Sequence, residues 1–366
     1  MIKLNIIVLP LLFFITGCNN NNNVIEETLE SKIDKIMEQE KDFKGIIHIG
    51  SVENITYSKG FGYSNRENKI EFDENTVFDI GSVTKPFTAI GIIKCKELGL
   101  LDYQDTLEKF FPEVTEDKKN ITIKQLLTHS SGFVDVIGND YEKISKEMYL
   151  TQSFDTQLLF SPGERYEYSN VGFSILGIII ETVSNKSYEE FLSEQVFLPS
   201  EMKTAGYILP DYNDTIIANG YDDLGVLSTP GANLGKPNEQ PWDIDGPYWH
   251  LKGNGGLLMS ANDIHQYYKF IKADLIDEVS KQKMYTKHLK EDETSLLYRG
   301  FGWGILDTNK GPAAKHNGGN GIFFADFAYL IEEDLFVFLA SNAYRESQDD
   351  LLIRLMNELS ITITNN

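Results

Sequence analysis

The sequence predicts an α+β fold in which strands from both ends of the chain form one antiparallel sheet, flanked by helices and joined to a helical lobe. Three observations predict it: short β-branched and aromatic segments within 45–63, mostly helical periodicity over 84–199, and two strand-like runs within 322–340. With 366 residues, of which 41% are hydrophobic, the chain can bury the core of one large domain or of two lobes that share a site.

The first 30 residues differ in composition from the rest of the chain. Lys3 precedes an apolar run over 6–15, which is too short to span a bilayer and has the size of the apolar region of a signal peptide. The segment then reads Ile15-Thr16-Gly17-Cys18. This ending resembles the lipobox of bacterial lipoproteins, in which the cysteine is lipidated and becomes the mature N-terminus. Five asparagines follow Cys18, as expected of a flexible tether.

From these features we predict a lipoprotein signal peptide over 1–18, a flexible tether over 19–30 and a folded domain over 31–366. The protein would then lie outside the cytoplasm, anchored to a membrane through the lipid on Cys18. A plain secretory signal peptide, cleaved at another position, is the alternative.

The remaining elements follow in chain order. Apolar residues at helical spacing predict a first helix over 24–41. Short segments broken by turn residues predict strands over 45–49, 55–57 and 60–63. Amphipathic spacing predicts helices over 84–98, 173–183 and 187–197. Near the C-terminus we predict a hairpin of strands over 322–331 and 335–340, followed by a helix over 349–359.

The net negative charge, the number of cysteines and the spacing of the histidines argue against nucleic-acid binding, cysteine chemistry and metal binding. The chain has 33 Lys and Arg against 55 Asp and Glu, and a net charge of −22 would repel nucleic acid. If Cys18 carries lipid, Cys95 is left alone among apolar neighbours, so we expect a buried thiol, no disulfide and no cysteine nucleophile. None of the six histidines forms an i, i+4 pair, and we predict no metal.

The stretch FDIGSVTKPFTA places Ser82 three residues before Lys85, with Pro86 next. Proline is tolerated only near the first turn of a helix, so Ser82 should lie close to a helix N-terminus, where free N–H groups favour a developing negative charge. A serine hydroxyl needs a base to become a nucleophile, and Lys85 could serve if its amine were neutral. Taken alone, the pattern fits equally a serine N-cap followed by a solvated lysine.

Two further motifs follow in order. Tyr168-Ser169-Asn170 ends a loop opened by proline and glycine, and His316-Asn317-Gly318 precedes a strand-like run. The ordered set S-x-x-K, Y-x-N and H-x-G resembles the serine β-lactamase and penicillin-binding-protein superfamily, specifically its class C-like branch, which also holds esterases and D-amino-acid peptidases. The resemblance covers nearly the whole chain after the tether, including the blocks LLTHSSGF, PGERYEYSN, GNGGLLMSANDI and FGWGI. It implies a β-lactamase/transpeptidase-like fold.

The resemblance also implies roles for the catalytic side chains. Ser82 would be the nucleophile, Lys85 would help to deprotonate it, and Tyr168 would relay the proton to the leaving group. Asn170 would bind Lys85 and the acyl amide of the substrate. Because Lys85 and His316 can carry positive charge, we expect them to lower the pKa of Tyr168.

The same resemblance places His316 and Gly318 on a strand that lines the cleft. The backbone N–H groups of Gly319 and Ser82 would form an oxyanion hole. Penicillin-recognising members carry lysine where this chain has His316, and a permanent cation there favours a carboxylate. We therefore expect weak β-lactamase activity and a closer similarity to the esterases and peptidases.

Three other features carry expectations of their own. Tyr63-Ser64-Asn65 repeats the Y-x-N pattern, but it precedes Ser82 among short strands, so we interpret it as turn chemistry. His129 is expected to be a hydrogen-bonded structural histidine. The long segment 235–256 could be a wall or lid of the cleft, or equally a surface loop packed by its own aromatic residues.

The resulting hypothesis is a membrane-tethered serine hydrolase that forms an acyl-enzyme at Ser82 and needs no metal or organic cofactor. Its substrates would be small esters, amides or peptides. The alternatives are a penicillin-binding D,D-peptidase, a sensor that is acylated once by penicillin, and a scaffold without chemistry. The sequence identifies no protein partner.

Overall fold

A computed structural model describes residues 28–212, 216–240, 242, 246–273 and 275–364. The signal peptide predicted over 1–18, the lipid site at Cys18 and the tether up to residue 27 lie outside these residues. Within the described ranges, no helix combines the length and the apolar character needed to cross a bilayer.

Helices occupy the middle of the chain and both of its ends. Within the described residues they are α1 (Leu29–Gln39), α2 (Thr84–Glu97), α3 (Leu107–Phe110), α4 (Ile123–Leu127), α5 (Lys146–Asp155), α6 (Asn170–Ser184), α7 (Tyr188–Leu192), α8 (Ala261–Lys272), α9 (Glu278–Tyr285) and α10 (Leu351–Glu358). A 3₁₀ turn, Gly81–Val83, leads directly into α2, and a π-helical turn, Ser193–Phe197, continues α7.

The strands are β1 (Gly45–Gly50), β2 (Ile55–Phe61), β3 (Tyr63–Asn65), β4 (Ile70–Glu71), β5 (Val77–Asp79), β6 (Tyr221–Asp222), β7 (Ala232–Asn233), β8 (Leu258–Ser260), β9 (Leu289–Lys290), β10 (Leu297–Arg299), β11 (Gly304–Thr308), β12 (Gly311–Gly319), β13 (Phe324–Leu330) and β14 (Phe336–Ser341). Eight of them form one antiparallel sheet in the order β2-β1-β14-β13-β12-β11-β10-β9. The first and last strands of the chain therefore pair directly, β1 with β14.

The sheet separates two hydrophobic layers. Side chains alternate along a strand, so Phe336, Phe338 and Ala340 of β14 face the large core under α2, α6 and α8, whereas Val337 and Leu339 face a smaller core. That smaller core is closed by α1 and α10, which pack against each other. Burial on both faces explains why β14 is apolar from Phe336 to Ala340.

The predicted α+β architecture, with a sheet drawn from both chain ends and a helical middle, is confirmed. The predicted helices over 84–98 and 173–183 correspond to α2 and α6, and the C-terminal hairpin corresponds to β13 and β14. The segments 55–57 and 60–63 were predicted as two strands, but 55–61 is one strand, β2. The error arose because exposed polar residues such as Lys59 resemble a turn, whereas on an outer strand they face solvent.

Candidate active site

Ser82 lies in the 3₁₀ turn that precedes α2, against the end of β12. The contact is backbone to backbone: a Cβ atom on Gly318 would lie 2.2 Å from the nitrogen of Ser82, and one on Gly81 would lie 2.5 Å from the nitrogen of Gly319. Gly81 also has φ +51°, which disfavours residues with a side chain. The two glycines therefore allow the N–H groups of Ser82 and Gly319 to lie close together, beside the hydroxyl of Ser82.

Lys85 is fully buried, and its amine contacts three oxygen atoms. Nζ lies 3.0 Å from Ser82 Oγ, 2.6 Å from Asn170 Oδ1 and 2.7 Å from the carbonyl oxygen of Asn254. Because Ser82 and Lys85 are one helical turn apart, the start of α2 holds the first contact locally. The other two partners come from the start of α6 and from the loop before β8.

Burial lowers the pKa of Lys85 to about 7, although Asp135 and Asp140 partly oppose the shift. A large share of the molecules then carries a neutral amine at neutral pH. A neutral amine can donate to Asn170 and Asn254 and still accept the proton of Ser82 Oγ. The site thus contains a hydroxyl and a base within hydrogen-bond distance.

Tyr168 donates a hydrogen bond from its hydroxyl to Ser82 Oγ at 2.9 Å. Its ring stacks on His129, with 4.6 Å between the centroids, and the Lys85 amine lies 4.8 Å from the ring centroid. Desolvation by the surrounding protein raises the pKa of Tyr168, while the bond to Ser82 partly opposes this. The expectation of a lowered pKa was therefore wrong, because loss of hydration outweighs the nearby positive charge.

His129 holds the segment that carries Tyr168. Its Nδ1 accepts the backbone N–H of Ser169 at 3.0 Å, and its carbonyl accepts the N–H of Glu167 at 2.9 Å. Burial lowers the pKa of His129, so the ring stays neutral. Its expected structural role is supported by these contacts.

Asn170 begins α6, and a contact that the sequence did not reveal orients its amide. Nδ2 donates to Asp135 Oδ1 at 2.9 Å, so that Oδ1 faces the amine of Lys85. Besides Asp135, the sequence analysis missed Asn254 as a site residue. Asn254 contributes a backbone carbonyl, which any residue type could supply. Its side chain anchors the loop by donating to Ser174 Oγ and to the carbonyl of His250.

His316 lies on the face of β12 that points toward the large core, next to Gly318 on the same face. Its Nδ1 lies 2.7 Å from the carbonyl of Asn317, which requires a proton on Nδ1. Burial lowers the pKa of His316, and the positive charges of Lys85 and Arg299 act in the same direction. His316 is therefore a neutral imidazole here.

Ser82 lies where two cavities meet. One, of about 310 Å³, is lined by Tyr168, Arg299, His316, Gly318 and Gly319. The other, of about 90 Å³, is lined by Asn170 and by residues of the segment 235–256, such as Asn254, and leads toward a further cavity of about 360 Å³. Described residues of the segment 235–256 line both the cavity of about 90 Å³ and the cavity of about 360 Å³. This placement is the one expected of a cleft wall.

Two other features lie away from this site. Tyr63-Ser64-Asn65 forms β3, which pairs with β4, and Asn65 Oδ1 accepts the N–H of Asn68 at 2.9 Å, consistent with turn chemistry. Cys95 is buried, and burial raises the pKa of its thiol to about 12. Among the described residues, no group of three or more His, Cys, Asp or Glu is arranged to hold a metal ion.

The chain is similar in sequence and in fold to known proteins. A family model described as Beta-lactamase matches residues 31–359. Penicillin-binding protein 4* of Bacillus subtilis (strain 168) is 29% identical over 300 residues, which are 77% of this chain and 64% of that protein. The structure of the octameric penicillin-binding protein homologue from Pyrococcus abyssi shares 28% identity, with a TM-score of 0.74 over 91% of this chain and 76% of that one.

A second similar structure is that of EstCE1, a hydrolase with promiscuous acyltransferase activity. It has a TM-score of 0.75 at 19% identity, over 90% of this chain and 98% of that one, and the likeness concerns the fold alone. This chain spans less than two thirds of the length of the Bacillus subtilis relative.

The pKa of Lys85 predicts how the reactivity of Ser82 depends on pH. Only the neutral amine can take the proton of Ser82, so labelling by a fluorophosphonate probe should fall about tenfold per pH unit below 7 and level off above about 8. Labelling rates would be measured by intact-protein mass spectrometry, with Ser82→Ala as the unlabelled control. Equal rates from pH 5 to 9 would exclude Lys85 as the base.

Proposed function

This chain belongs to the beta-lactamase family, and from that premise we propose that it is a serine hydrolase that forms an acyl-enzyme on Ser82. One observation carries the proposal: Ser82 Oγ lies within 3.0 Å of both Lys85 Nζ and the Tyr168 hydroxyl. The first is a base whose pKa is about 7, and the second is a phenol that keeps its proton. A nucleophile, a base and an acid thus share one hydrogen-bonded group.

In the acylation step, Ser82 Oγ attacks the carbonyl carbon while its proton moves to Lys85 Nζ. The oxygen of the substrate carbonyl gains negative charge, which the N–H groups of Ser82 and Gly319 stabilise. Tyr168 donates its proton to the leaving oxygen or nitrogen, the bond to the leaving group breaks, and the proton on Lys85 restores the phenol. Asn170 binds the acyl portion of the substrate and holds Lys85.

Water then releases the acyl group. Its oxygen attacks the acyl carbon, its proton passes to the neutral amine of Lys85, and Ser82 Oγ leaves after taking a proton back from Lys85. His316 and Gly318 line the side on which the leaving group departs, since they share a cavity with Tyr168.

The identity of the nucleophile can be tested with an activated ester such as p-nitrophenyl acetate. Ser82→Ala should lower kcat/KM by about 10³-fold or more. Tyr168→Phe should lower it by about 10²-fold or more, because it removes the proton donor and leaves the ring in place. The exposed Ser228→Ala is the matched control and should retain activity. Turnover that survives in a folded Ser82→Ala variant would refute the proposal.

The substrate class that we propose is a small ester, amide or peptide. A neutral His316 supports this choice, since it offers no permanent cation to the carboxylate of a penicillin. The two cations that line the same cavity, Arg299 and Lys315, are already paired with Glu291 and Asp326. The alternative, a penicillin-binding D,D-peptidase or a single-turnover penicillin sensor, is favoured by the similarity to a penicillin-binding protein. The two readings differ in how readily penicillin acylates Ser82.

Replacing the imidazole by an ammonium tests this difference. His316→Lys should raise the rate of penicillin acylation at Ser82 by about tenfold or more, because a charged hydrogen bond to the carboxylate contributes about 1.5–3 kcal/mol. His316→Gln is the neutral control. The adduct would be mapped on the Ser82 peptide by mass spectrometry while drug loss is followed. Rapid acylation of the unmodified protein, unchanged in His316→Lys, would support the penicillin-binding alternative.

We also propose that the protein is a lipoprotein outside the cytoplasm, anchored through Cys18. The support is the sequence Ile15-Thr16-Gly17-Cys18 after a short apolar run, followed by a polar tether. A lipid anchor would need no spanning helix, since the acyl chains alone insert into the bilayer.

Expression of the full chain in a bacterial host tests the anchor. The protein should partition into the detergent phase and incorporate labelled fatty acid, and Cys18→Ser should lose both properties. Cys95→Ser is the control and should behave as the unmodified protein, since Cys95 is buried. Labelling that persists in Cys18→Ser would contradict the proposed anchor site.

A further inference from the structure

The cavity on the Asn170 side of Ser82 extends away from the nucleophile. Its narrow part, of about 90 Å³, and the larger part beyond it, of about 360 Å³, share Asp79, Asp140, Tyr141 and Asn320 as lining residues. Because the narrow part includes Ser82 itself, any substrate bound at the nucleophile directs one of its two halves along this route.

The acyl half is the one that enters. Tyr168, the proton donor to the leaving group, lines the other cavity and does not line this one. Asn170 lines this cavity and does not line the other. The leaving group must lie next to its proton donor, so the acyl half extends past Asn170 toward Asp140.

The charge of this acyl-side cavity is negative. Two carboxylates, Asp79 and Asp140, line both of its parts, and no Lys, Arg or His is among the described residues that line it. The basic groups that act on Asp140 are His250 and Lys85, and burial lowers the pKa of both. Burial also raises the pKa of Asp140 and raises that of Asp79 to about 6, so Asp79 is ionised at pH 8. On the leaving-group side, by contrast, Arg299 and Lys315 line the cavity.

The two carboxylates differ in what they are free to bind. Asp79 is buried, and its oxygens accept hydrogen bonds from the N–H of Gly81 at 2.7 Å and from Asn320 Nδ2 at 3.0 Å. Asp79 therefore braces the turn that carries Ser82. Asp140 is half-buried, and within the described chain its carboxylate accepts no hydrogen bond and forms no ion pair. Asp140 is the group available to a ligand.

The walls beyond Asp140 are apolar. Leu234, Ile322 and Phe323 line the larger part of the cavity, whose volume matches a small aromatic or aliphatic group. A hydrocarbon with a positive end would place its body against these side chains and its charge beside the carboxylates.

We propose that Asp140 selects substrates whose acyl half carries a primary ammonium group on an apolar body. This inference rests on the proposed function, because it assigns the acyl half of a substrate that acylates Ser82. It narrows the ester or amide substrates to those with a cationic acyl group.

Three arylboronic acids of similar shape test the proposal: 3-(aminomethyl)-, 3-(hydroxymethyl)- and 3-carboxyphenylboronic acid. In each, Ser82 Oγ bonds to boron, the serine proton moves to Lys85, and the boron becomes a tetrahedral anion, so the aryl group takes the acyl position. Inhibition constants would be measured by competition with p-nitrophenyl acetate at pH 8, where Lys85 is neutral.

The aminomethyl compound should bind at least tenfold more tightly than the hydroxymethyl compound, and the carboxy compound most weakly. Asp140→Asn should reduce the first ratio to less than about threefold. Glu142→Gln is the matched control, since it removes a carboxylate two residues away that does not line the cavity, and it should keep the full ratio. Hydrolysis of the activated ester should be nearly unchanged in Glu142→Gln.

The outcomes separate the two proposals. No preference for the aminomethyl compound, or a preference that survives in Asp140→Asn, would overturn the acyl-side assignment while the hydrolase proposal stands. Ester turnover that survives in a folded Ser82→Ala variant would instead overturn the hydrolase proposal itself.

Discussion

The buried amine of Lys85 is the constraint around which the site is organised. Its pKa falls from an ordinary value of 10.5 to about 7, which corresponds to about 5 kcal/mol in favour of the neutral form. Such burial persists only if every polar atom of the amine finds a partner, and the 3₁₀ turn before α2, the start of α6 and the loop at Asn254 each supply one. Between pH 7 and 10.5 the unfolded chain binds more protons at this lysine, so its contribution to stability rises with pH.

The parts of the site that the sequence predicted are those with a residue type that chemistry requires. A hydroxyl, an amine, a phenol and an amide stand at Ser82, Lys85, Tyr168 and Asn170, and the structure brings all four together. The carbonyl of Asn254 could not be predicted, because every residue has one. The predicted shift in the pKa of Tyr168 was wrong in direction, because desolvation depends on packing that no linear motif contains.

The two faces of β12 explain how one strand serves both stability and chemistry. His316 and Gly318 point toward Ser82, whereas Lys315 points the other way and pairs with the buried Asp326 at 2.8 Å. That ion pair lies at the α1 and α10 face of the sheet. A permanent cation is therefore present one residue from His316, where the resemblance places the lysine of penicillin-recognising members. Lys315 also lines the cavity at Ser82, but its ammonium group is held by Asp326.

The pairing of α1 with α10 has a practical consequence. Both helices close the small core on the sheet face opposite Ser82, so the chain enters and leaves the folded domain from the back of the molecule. A bead, an electrode or a fusion partner attached directly at the start of α1 or at the end of α10 would lie behind the sheet. Immobilised in that orientation, the protein would present its cleft to the surrounding solution.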